Sequence, residues 1–287
     1  MPRTLKSLKT PLRYPGGKSR AVVKLLQYLP DLTQVKEYRE PFIGGGSVAL
    51  ELTKRYPHLQ IWVNDLYEPL YNFWCELQHN GQDLQDALWS KKNHYPDPDT
   101  AKKLFKQSKE DVNDPDLSSF NRAVAFYIVN KCSFSGLTES SSFSKQASKS
   151  NFSFSGIERL VEYSELIESW IITNHSYERL LTADWDRKGH FVYMDPPYDI
   201  KDNLYGKKGD MHKRFDHDQF AKDCDEYKSP MLISYNCDQL IKDRFSEWNV
   251  VEYDHTYSMR STASYGKDQR ERKELLLLNY DCRKTLG

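Results

Sequence analysis

Short apolar runs alternate with helical patterns in the first eighty residues. Strands are predicted at 37–43 and 61–64, and helices at 21–29, 48–54 and 68–78. Pro30 marks the end of the first helix, and three glycines follow the first strand. A strand, a glycine turn, a helix and a second strand are typical of the beginning of a parallel α/β sheet.

Apolar runs resume in the second half of the chain. They predict strands at 170–173, 191–194 and 231–235, and two extended runs at 250–257 and 274–280. A polar basic loop separates the last two runs, which we expect to form an antiparallel β-hairpin that closes the sheet. The pattern therefore predicts an α/β fold built on one Rossmann-like sheet.

The intervening segment, residues 80 to about 165, interrupts this alternation. Polar helical patterns cover 100–112 and 117–130, and a biased stretch follows at 133–155. Ten of its 23 residues are serine, and it also contains four phenylalanines. Serine-rich composition is typical of a flexible linker. A linker seldom carries four phenylalanines, however, and a nucleic-acid-binding surface is an alternative. We interpret the segment as an insertion between two halves of one sheet.

The composition of the 287 residues narrows the function classes. The formal net charge is zero, which argues against a strong non-specific binder of polyanions. No apolar run approaches the roughly 18 residues of a membrane helix. The first residues do not resemble a secretory signal, and we expect a cytoplasmic protein without a membrane partner. The five cysteines are scattered, and the histidines lack ligand spacing. Neither a disulfide framework nor a metal site is expected.

Residues 195–198, Asp-Pro-Pro-Tyr, follow the strand predicted at 191–194. Proline fixes its own φ and restricts the preceding residue, so that the Asp195 carboxylate and the Pro196 carbonyl can act together as acceptors. With the aromatic face of Tyr198, they suit an enzyme that holds a planar amine-bearing base while the amine attacks. A strand-ending turn is the alternative for this tetrapeptide taken alone.

The glycines at 44–46 lie between a predicted strand and a predicted helix. Such a loop can hold a pyrophosphate at a helix N-terminus, or surround the amino-acid tail of S-adenosylmethionine. The spacing matches neither the dinucleotide fingerprint nor the phosphate loop of NTPases. Asp65 ends the next strand, about twenty residues later, where a carboxylate can accept hydrogen bonds from ribose hydroxyls.

Four ordered segments resemble the Dam-like family of DNA adenine methyltransferases, and they are residues 12–18 (LRYPGGK), 39–48 (REPFIGGGSV), 63–65 (VND) and 192–198 (VYMDPPY). The C-terminal run RKELLLLNY fits as well. The resemblance implies an S-adenosylmethionine-dependent methyltransferase sheet, formed by residues 1–78 and 168–287. It also implies that residues 79–167 form an inserted, mainly helical target-recognition domain that binds double-stranded DNA.

The resemblance assigns roles to individual residues. It implies that Asp195 and the Pro196 carbonyl hold the exocyclic amine of a flipped adenine for methyl transfer to N6, and that Tyr198 stacks on the base. The cofactor S-adenosyl-L-methionine is implied to contact Tyr14, Lys18, Phe42, Gly44, Gly46, Asp65, Asp184 and Asp195. No metal is required by this chemistry.

The segment 130–139 resembles the part of the family that enters DNA. It implies DNA contacts by Asn130, Phe134, Ser135, Glu139 and Lys145, with Phe134 as a wedge and Ser135 on a phosphate. Family members that read GATC usually carry arginine where this chain has Glu139. Glutamate accepts from cytosine instead of donating to guanine. GATC therefore does not follow from the resemblance, and a different short adenine-containing site is an equal alternative.

Three alternatives remain at this point. Cytosine-N4 methylation uses the same geometry, but such enzymes more often have serine in place of Asp195. Methylation of RNA or of a protein amide tends to go with asparagine there. A non-catalytic DNA-binding module of the same fold is the third. For the enzyme we expect a bacterial or phage origin, a monomer or weak dimer, and a cognate restriction endonuclease as a possible partner.

Overall fold

A seven-stranded sheet forms the centre of the computed structural model, which describes residues 9–14, 16–134, 136, 141–183, 189–198, 215–255 and 272–281. Its strands are β1 (Glu37–Glu40), β2 (Gln60–Asn64), β3 (Ile171–Thr173), β4 (His190–Met194), β5 (Met231–Asn236), β6 (Asn249–His255) and β7 (Arg272–Leu278). The order is β3-β2-β1-β4-β5-β7-β6, and only β7 runs antiparallel to its two neighbours. The predicted Rossmann-like sheet and its closing hairpin are confirmed.

Helices connect the strands. Those up to β3 are α1 (Val22–Leu25), α2 (Ser47–Arg55), α3 (Glu68–His79), α4 (Gly81–His94), α5 (Pro98–Asp111), α6 (Ser119–Cys132), α7 (Lys145–Ser150), α8 (Phe154–Glu158) and α9 (Leu160–Leu166). Three more follow as α10 (Glu178–Thr182), α11 (His217–Glu226) and α12 (Gln239–Arg244). Within the described ranges, no helix has the length and apolar content needed to cross a bilayer.

Two predicted elements differ from the structure. The first strand ends at Glu40 and not at residue 43, because Pro41 has no amide hydrogen for the ladder. The helix predicted at 21–29 is a four-residue α1 followed by a 3-10 turn over Leu26–Tyr28. Helices α4 and α7–α12 were not predicted. The buried stripe of α4, for example, is narrow and includes only two leucines, Leu84 and Leu88.

The six helices α4–α9 follow α3 in the chain and precede β3. Helix α3 contacts β3 of the sheet on one side and α4, α6 and α9 on the other. One continuous cluster of buried side chains includes Val63 of the sheet, Phe73 of α3 and Phe126 of α6. The rings of Phe73 and Tyr127 stack at 5.8 Å between centroids. The inserted helices therefore share a hydrophobic core with the sheet, while the domain boundaries at 79 and 167 stay a prediction.

The described part of the serine-rich stretch contributes side chains to the core, so the alternative of a flexible linker does not hold for it. Phe152 is 0% exposed, Phe143 packs against Phe105, and Phe154 lies 4.5 Å from Trp89 between ring centroids. Serine side chains start the short helices, since Ser144 and Ser153 accept hydrogen bonds from first-turn amides. The phenylalanines serve packing, with the exception of Phe134.

Candidate active site

The order of the strands reverses between β1 and β4, and this is where an open α/β sheet binds its ligand. Arg39 of β1 pairs with Trp62 of β2 and Val192 of β4, all parallel. The three strands therefore end at the same edge. The glycine loop, Asp65 and residues 195–198 each follow one of these strands, so the sheet brings the three predicted site segments together.

The loop from β1 to α2 requires glycine at two positions. Gly44 and Gly46 have φ values of 48° and 68°, which residues other than glycine rarely adopt. A Cβ atom on Gly44 would lie 2.8 Å from Cε1 of Tyr14, and one on Gly46 would lie 2.8 Å from Cζ2 of Trp74. Two aromatic rings thus fix the loop. Helix α2 begins at the next residue and directs its positive dipole end to the switch point.

Asp65 is fixed across this loop. Its Oδ2 accepts from the amide of Gly44 at 3.1 Å, and its Oδ1 accepts from the amide of Tyr67 at 3.0 Å. Burial raises the pKa of Asp65 to about 6, although the two amide bonds act in the opposite direction. Each carboxylate oxygen has a second lone pair, which leaves acceptor capacity for a ligand hydroxyl.

Lys18 connects the N-terminal loop to the end of β4. Its Nζ lies 2.9 Å from Oδ1 of Asp195 and donates to the Tyr198 hydroxyl at 2.7 Å and to the Gly16 carbonyl at 3.0 Å. The Lys18 side chain is 3% exposed, and that of Asp195 is 22% exposed. Solvent is therefore excluded from the lysine of the ion pair and reaches the aspartate.

The charges of this pair depend on burial. Burial raises the pKa of Asp195 to about 6, and the ammonium of Lys18 opposes the shift. Burial lowers the pKa of Lys18, but Asp195 and Glu274 more than offset this, and the pKa of Lys18 lies above its ordinary value. At neutral pH both groups are charged, so Asp195 is an acceptor.

Tyr198 lies almost entirely inside the protein. It is 9% exposed, and its ring stacks with Tyr235 at 6.0 Å between centroids and 23° between planes. The hydroxyl accepts from Lys18 and donates to Oε1 of Glu274 at 3.1 Å. Pro196 is buried beside it. Both the ring and the hydroxyl of Tyr198 are thus held in place by neighbours.

Comparison with known proteins identifies this arrangement. The sequence model of the D12 class N6 adenine-specific DNA methyltransferases matches residues 14–259, which include the glycine loop, Asp65 and residues 195–198. The chain belongs to this family. It is an adenine-specific DNA methyltransferase, as the resemblance to Dam-like enzymes predicted. The cytosine-N4 and binding-module alternatives are set aside, because the family modifies adenine and is enzymatic.

This D12-class methyltransferase is similar to named methyltransferases of an archaeon and of two bacteria. The type II methyltransferase M.MjaIII of Methanocaldococcus jannaschii is 25% identical over 198 residues, which are 65% of this chain and 68% of that protein. M1.LlaDCHI, a type II methyltransferase of Lactococcus lactis, is 21% identical over 93% of this chain and 94% of its own. A DNA adenine methylase of Vibrio cholerae is 28% identical over 46% and 44%, respectively.

Phe134 of the D12-class enzyme is exposed at the start of the loop predicted to enter DNA. It is 53% exposed. Its amide donates to the Ser142 carbonyl at 3.0 Å, next to an isolated antiparallel bridge between Ser133 and Phe143. The two sides of the loop are therefore joined at its base. Lys145 is exposed at the start of α7. The predicted contacts Ser135 and Glu139 lie outside the described residues.

Asn130 supports this loop from inside the methyltransferase. It is 0% exposed. Its Oδ1 accepts from the amide of Arg13 at 2.9 Å, and its Nδ2 donates to the carbonyls of Arg13 at 2.6 Å and Gly136 at 3.0 Å. The Arg13 guanidinium in turn donates to the carbonyls of Ser133 and Phe134. The amide of Asn130 thus lies beneath the loop, where its bonds are to protein.

The two remaining cofactor predictions have different outcomes. Phe42 packs into an aromatic cluster, stacking on Tyr177 at 5.7 Å and meeting Phe215 and Phe220 edge-on at 5.8 and 6.1 Å. Its ring is half-buried on the β4–β5 side of the switch point. Asp184 lies outside the described residues.

Sequence reasoning missed two buried acids, Glu40 and Glu274. Glu40 is 2% exposed, and its Oε2 accepts from the Tyr38 hydroxyl at 2.7 Å and from the Ala49 amide at 3.0 Å. Burial raises the pKa of Glu40 to about 8, so a largely protonated acid lies beneath the glycine loop. The available signal was an acidic residue within a run expected to be a buried strand.

Proposed function

We propose that this methyltransferase takes its methyl group from S-adenosylmethionine and transfers it to N6 of an adenine rotated out of duplex DNA. The observation that carries the proposal is the ion pair of Lys18 and Asp195, open on the Asp195 side and next to the glycine loop. Family membership supplies the reaction. The geometry supports the roles of individual residues.

The residues around the switch point fit this cofactor. Gly44 and Gly46 make a tight turn at the positive end of α2, which suits a carboxylate. Asp65 has lone pairs left for ribose hydroxyls. We assign Tyr14, Lys18, Phe42 and Asp184 to the same site on the basis of the family resemblance. S-adenosylmethionine supplies, when bound, a methyl group activated by a sulfonium.

The amine of adenine is a weak nucleophile because its lone pair is delocalised into the ring. Asp195, ionised at neutral pH, accepts one amine hydrogen, and the Pro196 carbonyl accepts the other. Both acceptors stabilise the positive charge that develops on the nitrogen. Lys18 keeps Asp195 ionised and oriented. We assign base stacking to Tyr198, whose position is fixed by its neighbours.

Access to the base requires flipping, which costs a few kcal/mol. Phe134 is the exposed ring that can fill the space left in the duplex. We assign phosphate contacts to Ser135 and Lys145, and a positioning role to Asn130, because its bonds fix Arg13 beneath the loop. Glu139 favours a short recognition site other than GATC, since glutamate accepts from cytosine.

We further propose that the enzyme belongs to a restriction-modification pair. Two relatives with extensive coverage carry the name type II methyltransferase. A cognate restriction endonuclease that cuts the same unmethylated site is then the functional partner. We take the substrate to be double-stranded DNA of a bacterial or phage genome, and we propose that the enzyme acts in the cytoplasm as a monomer or weak dimer.

Expression in a bacterium that lacks adenine methylation tests the proposal. We expect N6-methyladenine at one short sequence motif, detected by single-molecule sequencing of the host genome. Asp195→Ala should abolish the modification and retain binding of S-adenosylmethionine in calorimetry, whereas Asp83→Ala, a change at an exposed position of α4, should leave the modification intact. Full methylation by Asp195→Ala would contradict the catalytic assignment, and an unmodified genome with folded wild-type protein would contradict the activity.

A further inference from the structure

Glu274 is a carboxylate in the interior of the sheet. It is 0% exposed on β7 and pairs in register with Asn236 of β5 and Tyr253 of β6. The next residues on the same face, Leu276 and Leu278, belong to the hydrophobic core. Burial of a carboxylate is unfavourable unless polar partners compensate, and apolar replacement of buried ionic groups is often neutral or stabilising. Packing alone therefore does not explain an acid at this position.

The partners of Glu274 connect it to the active site. Its Oε1 accepts from the Tyr198 hydroxyl at 3.1 Å, its Oε2 accepts from the Tyr253 hydroxyl, and Nζ of Lys18 lies 4.0 Å from Oε1. Glu274 of β7 thus contacts two residues next to Asp195, and Tyr253 of β6 holds Glu274 in place.

The direction of these bonds determines the orientation of Tyr198. An ammonium can only donate, so the Tyr198 hydroxyl accepts from Lys18. Its single hydrogen can go to Oε1 of Glu274 or to Asp195, to which the Tyr198 hydroxyl is also hydrogen-bonded. Only a group that accepts can occupy the place of Oε1 without disturbing this order. The carboxylate of Glu274 is such a group, and it also places a second negative charge near Lys18.

The second charge affects Asp195. Lys18 has two carboxylates near its ammonium, Asp195 at 2.9 Å and Glu274 at 4.0 Å. With Glu274 ionised, the ammonium of Lys18 is attracted to both carboxylates, and Asp195 remains a stronger acceptor for the substrate amine. With Glu274 neutral, Lys18 would bind Asp195 more tightly and compete with the substrate amine.

We propose that Glu274 is a positioning residue for methyl transfer, which holds the Tyr198 hydroxyl and Lys18 in the arrangement that leaves Asp195 open to the substrate amine. The proposal rests on the proposed function of Asp195. Glu274 itself contacts neither base nor methyl donor. It acts through two side chains, and its loss should lower kcat more than it raises KM.

The test is a double-mutant cycle between Glu274 and Lys18. Glu274→Gln removes the charge and keeps an acceptor for the Tyr198 hydroxyl. It should lower kcat about tenfold or more and change KM for DNA and for S-adenosylmethionine by less than about twofold. In a Lys18→Gln background, which lacks the ammonium on which the charge acts, the same change should lower kcat by less than about twofold. Independent, multiplicative effects of the two changes would overturn the proposal, as would an unchanged kcat in Glu274→Gln.

A matched control and a milder variant complete the experiment. Glu76→Gln neutralises another buried acid, which accepts from Asn80 at 2.7 Å on α3, and it should keep wild-type kcat. Tyr253→Phe removes the donor to Oε2 of Glu274. If Glu274→Gln does not fold, Tyr253→Phe takes its place in the cycle, and full additivity there overturns the proposal. An inactive wild-type enzyme would instead contradict the proposed function.

Discussion

Nζ of Lys18 lies 2.9 Å from Oδ1 of Asp195, which joins a loop before β1 to the end of β4. The lysine is closed off from solvent, and the aspartate is partly open. A buried ion pair is weak support for stability, because desolvation offsets the attraction between the charges. Because the pair lies at the switch point, we infer a functional role, in which a cation keeps an acceptor ionised where the substrate arrives.

The pH dependence of the reaction should report on this pair. Asp195 is a much stronger acceptor when it is ionised, and its pKa is about 6, so kcat should rise as pH increases through about 6. Lys18→Gln removes a cation that lowers the pKa of Asp195. The rise in kcat should therefore move to higher pH. Lys222→Gln, at an exposed position of α11, should show the wild-type profile. A Lys18→Gln profile that does not move would exclude this coupling.

Asp65→Asn should weaken cofactor binding. The two oxygens of Asp65 accept from the amides of Gly44 and Tyr67, and asparagine would direct an NH2 group at one of these amides. We expect the Kd for S-adenosylmethionine in calorimetry to rise about tenfold or more, equivalent to about 1.4 kcal/mol. Asp83→Asn, exposed on α4, is the control. Equal affinities in all three proteins would refute the assignment of Asp65 to the cofactor.

Two phenylalanines of the serine-rich stretch should respond in opposite ways. Phe152→Ala removes a fully buried ring and should lower the free energy of unfolding by about 3–5 kcal/mol. Phe134→Ala removes an exposed ring and should leave stability nearly unchanged. It should instead slow methylation of a paired adenine, and an adenine opposite an abasic site should restore the rate. A slow rate on both substrates would argue against Phe134 as a wedge.

Glu40 should make stability depend on pH. The pKa of Glu40 in the folded protein is about 8, above its ordinary value of 4.5, so the folded state retains a proton that the unfolded state releases between these values. The stability that protonated Glu40 adds to the folded state is fully present below pH 4.5 and is lost as pH rises through 8. Glu40→Gln removes this titration. In urea unfolding, the free energy of unfolding of the variant should increase relative to that of wild type by up to about 1.4 kcal/mol for each pH unit between the two pKa values. Parallel stability curves would contradict this account.

Local sequence patterns predicted the strands and the positions of the site segments. The run at 191–194 and the following prolines marked the end of β4, and the glycines at 44–46 marked the turn after β1. Strand propensity and restricted proline and glycine angles act within a few residues, and a local pattern reports them well. Helix α4 was not predicted because its buried face is determined by the helix it packs against, α9. Gly81 of α4, for example, lies so close to Ser164 of α9 that a Cβ atom on Gly81 would contact it.

The sequence by itself determined the seven strands, the family and the three loop segments that meet at the switch point. Only the tertiary structure decided which side chains meet. It paired Lys18 with Asp195, linked Glu274 to Tyr198, placed Asn130 beneath a loop and left Phe134 exposed. The physical reason is that burial and ion pairing depend on contacts between residues far apart in the chain. Local propensity has no information about such contacts until the sheet has brought its strand ends together.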